Sequence, residues 1–441
     1  MSRFPDDFLW GVSTASYQIE GAVREDGRGT SIWDTFSHTP GRVANGDTGD
    51  VACDHYHRYR EDIALMADLG VDAYRFSTAW PRIQPTGRGS LNRAGLDFYE
   101  RLVDAVLESG IQPWLCLYHW DLPQALEDQG GWQSRDTVHR FVEYAFHVYA
   151  RLGDRVRHVI PFNEPAVFSI LGYGEGIHAP GVRSRKALWR AIHHVNLAHG
   201  AAVQMLRGED QNLSIGAINA LNPLKAASDA EADIIAAEYA DALNNRANTD
   251  PQFLGRYPAP LASEFAALIE PDDMATIHQP LDFFGLNHYN RSFIRHDPGA
   301  RFGYVFEPPA PGKPTTDMGW EISPAGFREQ LLDIHHRYGP LPIYITENGA
   351  GYDEAPGVDG IVDDTRRIGY LRGYLAAMAE AMAEGVDVRG YFVWSLLDNF
   401  EWSLGYAKRF GLVHVDYASL ARRPKRSFGF YQAVMAGHRL P

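Results

Sequence analysis

Runs that read as β-strands alternate with segments of helical period along the whole chain. This alternation constrains the fold more than any other feature of the sequence. Eight strand-like runs occur, at residues 8–19, 72–80, 112–120, 158–165, 213–220, 282–289, 342–349 and 388–400. Most are rich in β-branched and aromatic residues, as a buried strand requires. Segment 59–69 places Ile63, Met66, Ala67 and Leu69 toward one side and stops before Gly70, a residue suited to a helix C-terminus. Segments 96–107 with Gly110, 141–152 with Gly153 and 368–383 with Gly385 repeat the arrangement. Strand alternating with helix implies parallel strands joined by right-handed crossovers. Eight such units predict an α/β fold, a closed (β/α)₈ barrel spanning residues 1–441 as one domain. A doubly wound open sheet usually carries a Gly-rich phosphate turn after its first strand, and this chain has none. The proline-bearing stretch 301–319 is expected to form a surface wall without regular structure.

The formal net charge of −15 argues against a nucleic-acid or anionic-membrane partner. No apolar run approaches the roughly 18 residues of a membrane span. The two cysteines, Cys53 and Cys116, cannot build a disulfide framework. The start, MSRFPDDFLW, lacks the basic-then-apolar pattern of a signal peptide. A reducing cytoplasm is the expected location.

In such a barrel the active site lies at the carboxyl ends of the strands, and the polar residues of this chain gather there. The first strand ends near Gln18 and Glu20, the third at His119 and Trp120, the fourth at Asn163 and Glu164. The second carries Arg75. The sixth ends at Asn287, His288 and Tyr289, the seventh at Glu347, and the eighth carries Trp394 and leads to Glu401 and Trp402. A strand-end glutamate such as Glu347 is equally well explained, taken alone, by pairing with an arginine. The recurrence of polar ends around the barrel weighs against packing as the whole reason. Glu164 and Glu347 fall on strands that can face each other across the barrel mouth. Two carboxyl groups around one cavity meet the needs of glycoside hydrolysis: one protonates the leaving oxygen, the other attacks or activates water.

The motifs FLWGVSTASYQIEG, YRFSTAWPRI, LYHWDLP, FNEP, GLNHY, ITENG and WSLLDNFEW occur in this order and cover essentially the whole chain. Together they resemble the retaining β-glucosidases of glycoside hydrolase family 1. The resemblance implies Glu164 as general acid/base and Glu347 as nucleophile. It implies that Arg75 holds Glu347 ionised and that Tyr289 hydrogen-bonds it. Gln18, His119, Asn163, Asn287, Glu401 and Trp402 would bind the sugar next to the cleaved bond. Trp394 would lie under its ring, and Trp120 would help close the pocket. Trp320, Phe168 and Leu171 would touch the leaving group. No metal or organic cofactor is implied, and the expected ligands are small β-glucosides or cello-oligosaccharides. The family's 6-phosphoglycosidases carry Ser in place of Glu401, and a Lys and a Tyr further on; this chain has Lys408 and Phe410. Relatives often have Thr where this chain has Pro161 before FNEP.

Other polar and aromatic groups have plainer readings. Asp54, His55 and His57 have the spacing of some metal sites but precede a helix. His193, His194 and His199 fall in a helical segment as packing or surface groups. Trp33 and Trp132 are expected in the core, and Asn348 to shape the turn after Glu347.

Overall fold

A computed structural model describes residues 3–358 and 360–441. Eight parallel strands close into a barrel in sequence order. They are β1 (Leu9–Ser13), β2 (Ala73–Ser77), β3 (Gln112–Cys116), β4 (His158–Ile160), β5 (Ser214–Ala220), β6 (Phe283–Asn287), β7 (Ile343–Asn348) and β8 (Val388–Trp394). Pairing of β1 with both β2 and β8 closes the ring. Helices fill the crossovers, among them His55–Leu69, Arg93–Glu108, Asp136–Leu152, Arg185–Glu209, Pro324–Tyr338 and Thr365–Ala383. The first ends as its sequence predicts. Gly70 takes φ = 82°, and its N–H reaches the carbonyls of Met66 and Ala67. No helix among the described residues is long and apolar enough to cross a membrane.

Side chains fill the barrel interior. Ala73, Trp114, Cys116, Ile160, Phe283 and Phe392 pack there with no more than 1% exposure. Two strand glycines make room for the larger rings. A Cβ on Gly11 would lie 2.3 Å from the Phe392 ring, and one on Gly216 would lie 2.2 Å from Phe283.

The strands are shorter than the runs that announce them. Run 8–19 is a strand only over Leu9–Ser13; Ser16–Ile19 is one helical turn that carries Gln18 off the barrel rim. Pairing on β4 stops at Ile160, because Pro161 has no N–H to give. It resumes where Asn163 N–H donates to the Tyr118 carbonyl at 2.9 Å. Stretch 301–319 is not wholly irregular. Tyr304–Glu307 pairs with Ser292–His296, which pairs with Leu224–Ala226 in a small separate sheet. Helix Glu231–Asp241 packs under it through Ala236, Ala237 and Ala240.

Candidate active site

The strand ends bring nearly all the expected residues to one place. Arg75, on β2, is fully buried and cross-links two neighbours. One terminal nitrogen donates to Glu347 Oε1 at 2.6 Å, the other to Asn163 Oδ1 at 2.5 Å. The Tyr289 hydroxyl donates to Glu347 Oε2 at 2.6 Å, so both carboxylate oxygens are held. Glu347 lies level with Asn287 in the β6–β7 register. The Asn287 amide donates to Glu164 Oε1 at 2.7 Å and to Asn163 Oδ1 at 3.0 Å. A continuous run of hydrogen bonds therefore joins Glu164 to Glu347 through Asn287, Asn163 and Arg75.

Asn163 is oriented by these bonds. Its oxygen is taken by Arg75 and Asn287, so its nitrogen faces His119 Nε2 at 3.0 Å. Burial depresses the His119 pKa and keeps the ring neutral. Nε2 then accepts, and the proton sits on Nδ1, which has no partner. Gln18 donates to Asn399 Oδ1 and to the Phe400 carbonyl, both at 2.9 Å; its own Oε1 is buried and unmatched. Oε2 of Glu401 is unmatched as well. Buried polar atoms left alone cost roughly 1–3 kcal/mol each. Three around one pocket fit a ligand rich in hydroxyls.

Aromatic rings wall the pocket. Trp402 stacks on Trp120 at 4.6 Å, and His119 lies 5.9 Å from Trp394 and 6.0 Å from Trp402. Trp120 also donates from Nε1 to the Asn163 carbonyl. Trp394 groups with Phe410, Tyr289 and Trp320. Glu164, Trp120 and Trp402 all take left-handed backbone, with φ of 48°, 80° and 51°.

A model of the family described as "Glycosyl hydrolase family 1" matches residues 1–440. The chain belongs to glycosyl hydrolase family 1. It is 46% identical to Beta-glucosidase A of Acetivibrio thermocellus, over 98% of each chain. It is 44% identical to a bifunctional beta-D-glucosidase/beta-D-fucosidase of Bifidobacterium breve, over 99% of this chain and 98% of that one. The beta-glucosidase of Thermotoga maritima in complex with glucoimidazole superposes over all of both chains, with TM-score 0.96 and 45% identity.

Electrostatics divide the two family 1 carboxyls. Burial, then the charge of Glu347, pushes Glu164 up to about 8. Burial raises Glu347 too, against the pull of Arg75 and the Tyr289 hydroxyl. The expectation that Arg75 sets the Glu347 charge is thus corrected in part, since taking the carboxyl out of water opposes it. The cation and the phenol favour charge on Glu347, so a shared proton rests on Glu164. Glu401 is also raised to about 8, by burial and then by Glu347.

Some sequence expectations fall elsewhere. Phe168 packs in the core against Tyr118 at 5.2 Å and Phe162 at 6.4 Å, because its short helix turns inward. Glu20 serves structure: it pairs with Arg82 and accepts from the Tyr99 hydroxyl. His55 bonds Asp62 and His57 bonds Asp54. His193, His194 and His199 are all buried. Asn348 bonds the His288 carbonyl and the hydroxyls of Tyr370 and Tyr391, away from the pocket. Trp33 is buried as expected, yet its ring backs Trp402 at 4.6 Å. Thr346 and Asn399 carry no signal of their own in the sequence: the first orients Asn287 at 2.7 Å, the second holds Gln18. Both sit inside the motifs ITENG and WSLLDNFEW, beside the residues whose chemistry is plainer.

Proposed function

We propose that the chain is a retaining β-glycosidase. It removes terminal β-D-glucosyl residues, and galactosyl or fucosyl ones, from small β-glucosides or cello-oligosaccharides. The observation that carries this reading is the pair of unlike carboxyls: Glu347, with both oxygens held by Arg75 and Tyr289, and Glu164, pushed up to about 8. Glu347 attacks the anomeric carbon as Glu164 passes its proton to the departing oxygen. The bond to the leaving group breaks and an ester to Glu347 forms. That ester has lost the charge that kept Glu164 protonated, so Glu164 now takes a proton from water. The resulting hydroxide oxygen attacks the same carbon, Glu347 leaves, and the sugar departs with its β configuration.

The positioning of the sugar follows from the unmatched atoms. Gln18 Oε1 and Glu401 accept from its hydroxyls, and His119 Nδ1–H donates. Asn163 and Asn287 border the reacting centre, Trp394 lies under the ring, and Trp120 and Trp402 close the side. Arg75 steadies the charge on Glu347. The printed activities of the relatives, beta-glucosidase and beta-D-fucosidase, support the range of sugars. Two buried, unpaired thiols suit a cytoplasmic location. NMR during hydrolysis of an aryl β-glucoside tests the reading: the first free sugar is the β anomer, and an initial α anomer would reject it.

A further inference from the structure

Bond cleavage takes place between Glu164 and Glu347 in the proposed glycosidase. The leaving group then departs into a neighbouring cavity of about 980 Å³, bordered by Val167 and Trp320. Leu171, Ile177, Phe302 and Phe306 give it apolar walls. Ile177 and Phe306 are 54% and 52% exposed, so broad apolar surface stands ready to be covered. Flat aromatic groups gain most from such walls.

Three arginines and three glutamates line this cavity, so its charges balance in number but not in pairing. Arg291 on its wall is paired with Glu321 at 2.6 Å. Glu307 is paired with Arg295. Glu175 faces Arg301 at 4.0 Å. Arg183 lines the same cavity and has no hydrogen bond or ion pair among the described residues. It also directly precedes Ser184, which caps the 25-residue helix Arg185–Glu209. The positive end of that helix adds to the field of the guanidinium.

We infer that the cavity takes an aromatic leaving group bearing a carboxylate, and that Arg183 is the residue that selects it. This inference rests on the glycosidase reading. The ring lies among the apolar walls, and the carboxylate meets the guanidinium of Arg183, unpaired among the described residues, whose fork matches two carboxylate oxygens. Arg183 is exposed, so the pair is screened by solvent. The expected preference is roughly two- to fivefold, the range of an exposed ion pair.

The test compares kcat/KM for 4-carboxyphenyl and 4-carbamoylphenyl β-D-glucosides, which differ in charge and little in shape. It is run on the native chain and on Arg183→Gln. The leaving-group acidities differ, but they differ equally for both enzymes. The acid-to-amide ratio should fall about two- to fivefold in Arg183→Gln, and Arg183→Lys should recover part of it. In the native chain the ratio should also fall at roughly 0.5 M salt, more than in the variant. Turnover with a ratio that Arg183→Gln leaves unchanged overturns this inference alone. No turnover of either glucoside by the native chain overturns the glycosidase reading, and this inference with it.

Discussion

The proposed sugar pocket and the proposed leaving-group cavity lie side by side and are built in opposite ways. The pocket is made at strand ends. Arg75, Asn163 and Asn287 are completely buried, and each hydrogen-bonds two or more residues of the pocket. The cavity is made largely of crossover segments, with exposed Ile177 and Phe306 and ion pairs at its surface. Moving one group in the pocket breaks several hydrogen bonds at once; moving one in the cavity breaks few. The difference teaches that the proposed sugar site is densely cross-linked by hydrogen bonds, while the proposed leaving-group site is bordered by sparsely bonded surface.

The largest expected effect lies in the pocket. Glu347→Ala should lower kcat by roughly 10⁴-fold or more, as loss of a nucleophile does. Added azide should restore turnover and give the α-glycosyl azide, since it attacks through the space the side chain leaves. Recovery of only the β product would break the assignment.

Next comes Glu164, whose loss should cost about 10²–10⁴-fold for poor leaving groups and far less for dinitrophenyl glucoside. In the intact enzyme activity should rise as Glu347 loses its proton and fall as Glu164 loses its own near pH 8. Glu401 titrates in the same region, so the falling limb should be steeper than one proton gives. Glu164→Ala should make it shallower. A limb unchanged in slope and position would assign the acid elsewhere.

A smaller effect concerns carbon 6 of the sugar. Lys408 is engaged with the Asp317 carbonyl at 2.6 Å, and Phe410 packs with Trp394. Neither is arranged to grip a phosphate, and Glu401 stands near Glu347 in the same buried pocket. Leaving a buried partner such as Glu401 without its hydrogen bond costs roughly 1–3 kcal/mol. The 6-phosphate of nitrophenyl β-glucoside should therefore have kcat/KM about 10- to 100-fold below the plain glucoside. Equal turnover of the two would remove the role given to Glu401.

The smallest effect belongs to the cavity. Trp320→Ala should change kcat/KM by less than about tenfold, the scale of one aromatic contact. The size should depend on the leaving group and not on the sugar. A uniform loss across leaving groups would erase the distinction between the two regions.

The barrel was legible because its strands are buried on both faces and read as apolar runs between helical periods. Their ends were less so. Residues 14–19 and 117–120 continue the composition of a strand after the ladder has stopped, and only tertiary pairing distinguishes them. The pocket residues could be read because chemistry at strand ends leaves polar groups where packing alone would not. Phe168 could not be placed, since a phenylalanine three residues past a helix start suits a cavity wall and a core equally. Strand Tyr304–Glu307 was hidden by the prolines that follow it. Trp33 was placed correctly in the core, but its second face, behind Trp402, depends on a contact far away in sequence.

The left-handed backbone at Glu164, Trp120 and Trp402 has a consequence for heat resistance. Conformations of this kind cost on the order of 1 kcal/mol each in a residue with a Cβ. Glu164 adds a buried carboxyl close to another. Substitution by glycine or asparagine at such a position should relax the chain and, with the proposed roles, discard the activity together. Variants gathered by survival at high temperature alone should thus accumulate at the mouth of the barrel, as well-folded proteins that no longer turn over substrate.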